Sequence, residues 1–208
     1  ERSVQESYDN AITEADKYFL SKEYENAKTE YQNALTFKPL ENYPKQKITE
    51  IEKILADIKA KNEAYENAIA VGDEKFSSKE YLKSKEAYNE ALGIKPGETY
   101  PKEKIAEIDN ILADAKAKQK AYDDAIAAGD SQLNVKDYSK AKESYSKASE
   151  IKPEQNYPKE KIKEIDAILA EILAKDEAYK KAIAEADGKF TAKDYENSKT
   201  SYEEAQKI

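Results

Sequence analysis

Apolar side chains recur along this chain at steps of three and four. Between residues 102 and 134 they run Ile105, Ile108, Leu112, Ala115, Tyr122, Ile126, Gly129 and Leu133, the stripe of an amphipathic helix with heptad character. That stripe predicts one continuous helix of about 32 residues, roughly 48 Å at 1.5 Å per residue. A single polar residue, Gln119, interrupts it, with Asn62 and Asp176 at matching places. Such a position either sets helix register or marks an exposed stretch. After a short turn, Asn134 to Lys136, a second stripe follows: Tyr138, Ala141, Tyr145, Ala148 and Ile151. This shorter helix ends before Lys152-Pro153, because the residue preceding proline avoids helical backbone. A loop of about five residues, a common connection length, leads to Tyr157-Pro158. Proline suits a first helical turn, and Asn156, like Thr99 and Asn42 before it, offers a side-chain oxygen for a cap. No segment alternates with period two, so no strand is expected. The chain reads as all-α, with long helices alternating with short ones.

The pattern repeats every 57 residues. Tyr8, Tyr65, Tyr122 and Tyr179 share one register; Tyr24, Tyr81, Tyr138 and Tyr195 share another; Tyr31, Tyr88, Tyr145 and Tyr202 a third; and Tyr43, Tyr100 and Tyr157 a fourth. All six prolines fall into two more registers, Pro39, Pro96, Pro153 and Pro44, Pro101, Pro158. The repeats are 8–64, 65–121, 122–178 and a partial 179–208, with 1–7 as the tail of a preceding one. Both ends fall inside a repeat, which leads us to expect a fragment of a longer array. Surface positions vary between repeats, as in natural duplicates.

Composition narrows the chemistry. The 208 residues include no cysteine, histidine, methionine or tryptophan. Thiolate and imidazole catalysis are therefore excluded, as are disulfides and the usual ligands of zinc, haem and iron–sulfur clusters. The net charge of −8 argues against nucleic acid, which requires a basic face. No apolar run approaches the roughly 18 residues of a membrane span. No calcium loop, phosphate-binding glycine loop or activated-serine motif occurs. No cofactor, metal or catalytic residue is expected, and the charged residues read as solvated helix faces with Glu–Lys pairs such as Glu80–Lys83 and the neighbours Glu103–Lys104.

The stretch from the end of each long helix through the short helix resembles a tetratricopeptide repeat. That pattern runs from a glycine through aromatic and small residues to a closing proline. Here it is similar at Gly72, Phe76, Tyr81, Ser84, Tyr88, Ala91 and Pro96, and at Ala15, Phe19, Tyr24, Ala27, Tyr31, Ala34 and Pro39. The early tryptophan is replaced by Ala11 or Ala68. The period of 57 exceeds the family's 34 by 23 residues, which fall in the lengthened first helix. The resemblance implies antiparallel helix pairs in a solenoid. The extra length leaves Ile105, Ile108 and Leu112 to be buried against the preceding short helix. Each level then holds three helices, and the long helices run between levels as in a spectrin-like rod.

Two recurring features are candidates for function. The tyrosines Tyr24, Tyr31 and Tyr65 read as packing, with hydroxyls reaching water. Tyr43, Tyr100 and Tyr157 fall in the loop and either pin it to the bundle or form a repeated surface contact. The segment Tyr-Pro-Lys-x-Lys-Ile also places Lys45, Lys102 and Lys159 at helix starts, against the macrodipole. These six residues are the candidate interaction surface. The expected role is a non-catalytic scaffold or spacer segment of a larger repeat protein, presenting an extended protein-interaction surface. A peptide-binding module and a self-assembling extracellular filament are the alternatives. The expected partners are proteins and neighbouring repeats, with no nucleic acid and no membrane insertion. Similar repeats in Gram-negative envelope proteins imply a periplasmic, cell-surface or secreted location. The open final repeat is expected to leave Tyr195, Tyr202 and Ala205 uncovered.

Overall fold

A computed structural model describes residues 3–208. Among these residues it contains helices and no strand: α1 (Val4–Leu20), α2 (Tyr24–Phe37), α3 (Asn42–Ser77), α4 (Tyr81–Ile94), α5 (Tyr100–Asn134), α6 (Tyr138–Ile151), α7 (Tyr157–Thr191) and α8 (Tyr195–Ala205). This is an all-α helical repeat. The chain forms two compact units, residues 1–111 and 112–208. The first contains α1 to α4 and the start of α5, and the second the rest of α5 with α6 to α8.

Long helices of 35 and 36 residues exceed the expected length because each begins ahead of its proline rather than after it. Pro44, Pro101 and Pro158 are fully buried there, in a turn where a missing N–H costs nothing. The side-chain caps expected from Asn42 and Asn156 are not made. Asn42 lies inside α3, whose cap residue Glu41 makes no side-chain bond, and Asn156 makes none at α7. Burial of the adjacent proline, not a cap, holds these helix starts.

The turn before each short helix uses lysine in the left-handed conformation: Lys22, Lys79, Lys136 and Lys193, all at φ near 60°. The Lys22 N–H donates to the Phe19 carbonyl and the Glu23 N–H to the Tyr18 carbonyl, the paired bonds of a Schellman motif. The same two bonds recur as Lys79 to Phe76 with Glu80 to Lys75, and at Lys136 and Lys193. Glycine would adopt this backbone without the Cβ clash.

In the first compact unit α2 packs on both α1 and α3. Ala15, Ala27, Tyr31 and Ile51 form its fully buried centre, with Ile48, Leu55, Phe19 and Tyr24 around them. Small residues on α1 and α2 let the backbones approach, and the tyrosine ring fills the space between. In the second compact unit Ala141, Tyr145 and Ile165 repeat this arrangement. Ile108 is also fully buried, whereas Ile105 and Leu112 are half-buried.

Each stripe lapses in the middle of its long helix. Residues 56–64, 113–121 and 169–181 are all exposed, Ala115 among them. Geometry explains this in α3. Two 14-residue helices, α2 and α4, each cover about 21 Å, while α3 extends about 54 Å. Asn62, Gln119 and Asp176 lie in these exposed stretches.

Candidate interaction surface

Tyr43, Tyr100 and Tyr157 lie in the first turns of α3, α5 and α7 rather than in the loops. Each of these tyrosine rings packs against the preceding short helix. It meets the buried tyrosine there edge to face, at 6.1 Å for Tyr31–Tyr43, 6.1 Å for Tyr88–Tyr100 and 6.2 Å for Tyr145–Tyr157.

One carboxylate oxygen joins each pair. Asp16 Oδ1 accepts from the Tyr31 hydroxyl at 2.5 Å and the Tyr43 hydroxyl at 2.7 Å. Asp73 accepts from Tyr88 and Tyr100, both at 2.6 Å. Asp130 accepts from Tyr145 at 2.6 Å and Tyr157 at 2.9 Å. The buried hydroxyls therefore end on a carboxylate instead of in water, contrary to expectation. Burial, then the hydrogen bond to aspartate, holds the hydroxyls of Tyr31, Tyr88 and Tyr145 well above the ordinary tyrosine range. Tyr100 and Tyr157 are raised chiefly by the aspartate bond, and Tyr43 chiefly by burial. Both hydroxyls of each pair thus stay protonated as donors at neutral pH.

The aspartates belong to no motif that sequence reasoning flagged. Their only signature is register: Asp16, Asp73, Asp130 and Asp187 are spaced by 57. Among 43 acidic residues, that register stands out only once the tyrosines are seen to need a shared acceptor.

The recurrent lysines divide into two groups. Lys47 and Lys104 lie over the rings of Phe19 and Phe76 at 4.2 and 4.5 Å. They also pair with Glu50 and Glu107, at 2.9 and 2.8 Å. Lys104 therefore takes the glutamate three residues on, not its neighbour Glu103, because adjacent helix residues point apart. The corresponding aromatic is Leu133 in the next repeat, and Lys161 lies instead 6.0 Å from the Tyr157 ring centre. Lys45, Lys102 and Lys159 remain exposed, and the Lys159 ammonium donates to the Pro153 carbonyl at 2.5 Å. The tyrosine and the lysine of each candidate pair are thus engaged differently. The three tyrosines are bound to aspartate and remain about 40% exposed.

The polar interruption of the stripe also has a partner. The lysine of each Lys-Pro step lies over a tyrosine: Lys38 over Tyr8, Lys95 over Tyr65 and Lys152 over Tyr122, at 5.0, 4.6 and 5.6 Å. Lys152 also donates to Gln119 Oε1 and Lys38 to Gln5 Oε1. The residues flanking each loop are in this way tied to the long helix that precedes it.

No protein-family model matches the chain, and no curated protein sequence is significantly similar to it. Among the described residues, no helix is long and apolar enough to cross a membrane.

Proposed function

We propose that the chain is a non-catalytic scaffold or spacer segment of a larger repeat protein, built on a tetratricopeptide-like plan with an enlarged unit. The observation that carries this reading is the use to which the recurrent polar residues are put. In three successive registers the tyrosine pair and the aspartate tie one helix to the next, and in two of them a lysine also lies over an aromatic ring of another helix. A side chain held this way serves packing rather than turnover. An envelope, cell-surface or secreted setting in a Gram-negative bacterium follows from the resemblance, and the absence of cysteine suits any redox compartment.

A spacer must convert unit number into distance. Two engineered cysteines at Lys22 and Lys193, in a chain that has none of its own, accept dyes cleanly. Removing residues 65–121 should shorten the dye separation, and duplicating them should lengthen it by the same amount. A separation insensitive to unit number would overturn the spacer role.

A further inference from the structure

We propose that the face formed by the end of α7 and by α8 is a docking site for an amphipathic helix that begins Tyr-Pro-x-x-Lys-Ile-x-x-Ile-(Asp/Glu)-x-x-Leu. The inference rests on repeat packing and is independent of the spacer role. Three faces of the same construction are already occupied within the chain, each by a segment of that sequence: Tyr43 to Leu55, Tyr100 to Leu112 and Tyr157 to Leu169.

The fourth face carries the same groups without an occupant. Phe190 and Tyr195 stack edge to face at 5.5 Å, as Phe19 and Tyr24 do at 5.8 Å. Yet Phe190 is 56% and Tyr195 58% exposed, whereas Phe19 and Tyr24 are half-buried against the same core cluster as Ile48 and Leu55. Among the described residues the Asp187 carboxylate accepts from the Tyr202 hydroxyl alone, where each sister carboxylate accepts from two hydroxyls, and Asp187 is exposed where they are half-buried. Lys199 is a third element. Its counterparts Lys28, Lys85 and Lys142 reach across to Glu52, Asp109 and Asp166 on the covering helix. Among the described residues Lys199 itself pairs only with Glu203 of its own helix, at 3.9 Å, with a side chain 79% exposed. A shallow apolar pocket lies among these groups, lined in part by Phe190, Tyr195, Ser198 and Tyr202.

Each feature specifies one position of the incoming helix. Asp187 takes the tyrosine hydroxyl. The Phe190 ring takes the lysine ammonium. The pocket takes the isoleucines and leucine, and Lys199 takes the acidic residue after the second isoleucine. The two charged contacts set direction and register, and the apolar contacts supply most of the affinity.

The test uses the full chain and a synthetic peptide with the sequence of residues 99–115, followed by NMR with labelled protein. Saturable shifts confined to the end of α7 and to α8 are expected. Replacing the peptide's tyrosine by phenylalanine, or Asp187→Asn in the protein, should weaken binding about tenfold, as loss of a hydrogen bond to a charged group does. Lys199→Glu should weaken it also, and a peptide with lysine in place of its Asp109 should restore binding to that variant. A second version fuses residues 95–115 after Ile208, and hydrogen exchange in α8 should then slow. Absence of both peptide shifts and α8 protection would overturn the proposal. So would shifts located on other helices, or a concentration-dependent dimer broken by Phe190→Lys, which would make a second copy the occupant.

Discussion

Tyr88 and Asp73 are 15 residues apart in sequence, and the tyrosine hydroxyl lies 2.6 Å from the carboxylate. The bond joins α4 to α3, and Tyr100 brings α5 to the same oxygen. One carboxylate therefore holds three consecutive helices. Ring packing alone would tolerate sliding along a helix axis, since apolar contact is not directional. Two hydroxyls on a single oxygen do not.

Tyr88→Phe should keep the packing and lose the bond. The expected cost is about 1–2 kcal/mol, at the lower part of the range for bonds to charged groups because Asp73 is half-buried and retains Tyr100. Tyr88→Ala should cost about 3–5 kcal/mol through the cavity it leaves. Urea unfolding of both variants measures the difference. Equal losses would mean that the ring contributes nothing beyond its hydroxyl.

The same tyrosines set a limit at high pH. Their folded-state pKa values lie above the ordinary 10.0, so the folded state holds these protons more tightly than the unfolded state does. The associated stability is fully present below about pH 10 and is lost as pH rises toward the folded values. Stability should therefore fall above pH 10. The buried Tyr31, Tyr88 and Tyr145 should ionise only with unfolding. Ultraviolet titration of tyrosinate alongside circular dichroism tests the coupling. Smooth ionisation of all 16 tyrosines before any loss of helix would contradict the buried clamp.

Lysine in the left-handed region is a poor choice for a helix end. Lys79→Gly should stabilise the protein by about 1 kcal/mol, the order of the strain relieved. The same change at Lys22, Lys136 or Lys193 should behave alike, and distant sites should add. Thermal unfolding gives the answer. A loss of stability would show that the lysine side chains contribute more than the backbone strain costs.

Burial distinguishes the isoleucine and leucine of the long helix. Ile108 is fully buried, so Ile108→Ala should cost about 2–5 kcal/mol. Leu112 is half-buried, and Leu112→Ala should cost less. Tyr195→Ala should be milder again, since Tyr195 is 58% exposed. Hydrogen exchange should be fastest in α8, where fewer contacts hold the helix. Ala205 is 1% exposed, however, packed within its own helix pair, and it is expected to resist substitution by larger residues.

Helix type, the alternation of long and short helices and the 57-residue period were determined by the sequence alone. Each depends on local spacing: three- and four-residue steps for helices, Lys-Pro and Tyr-Pro steps for their ends, and tyrosines marking the period. Tertiary structure decided which polar groups meet. Asp16, Asp73 and Asp130 lie 15 and 27 residues from their two tyrosines, separations with no helical periodicity to betray them. It also decided that Tyr43, Tyr100 and Tyr157 lie within helices, and that Ala115 is exposed while Ala205 is buried. A stripe records which side of a helix is apolar. It does not record how far a 14-residue neighbour reaches along it, and that reach is set by helix lengths and turns acting together.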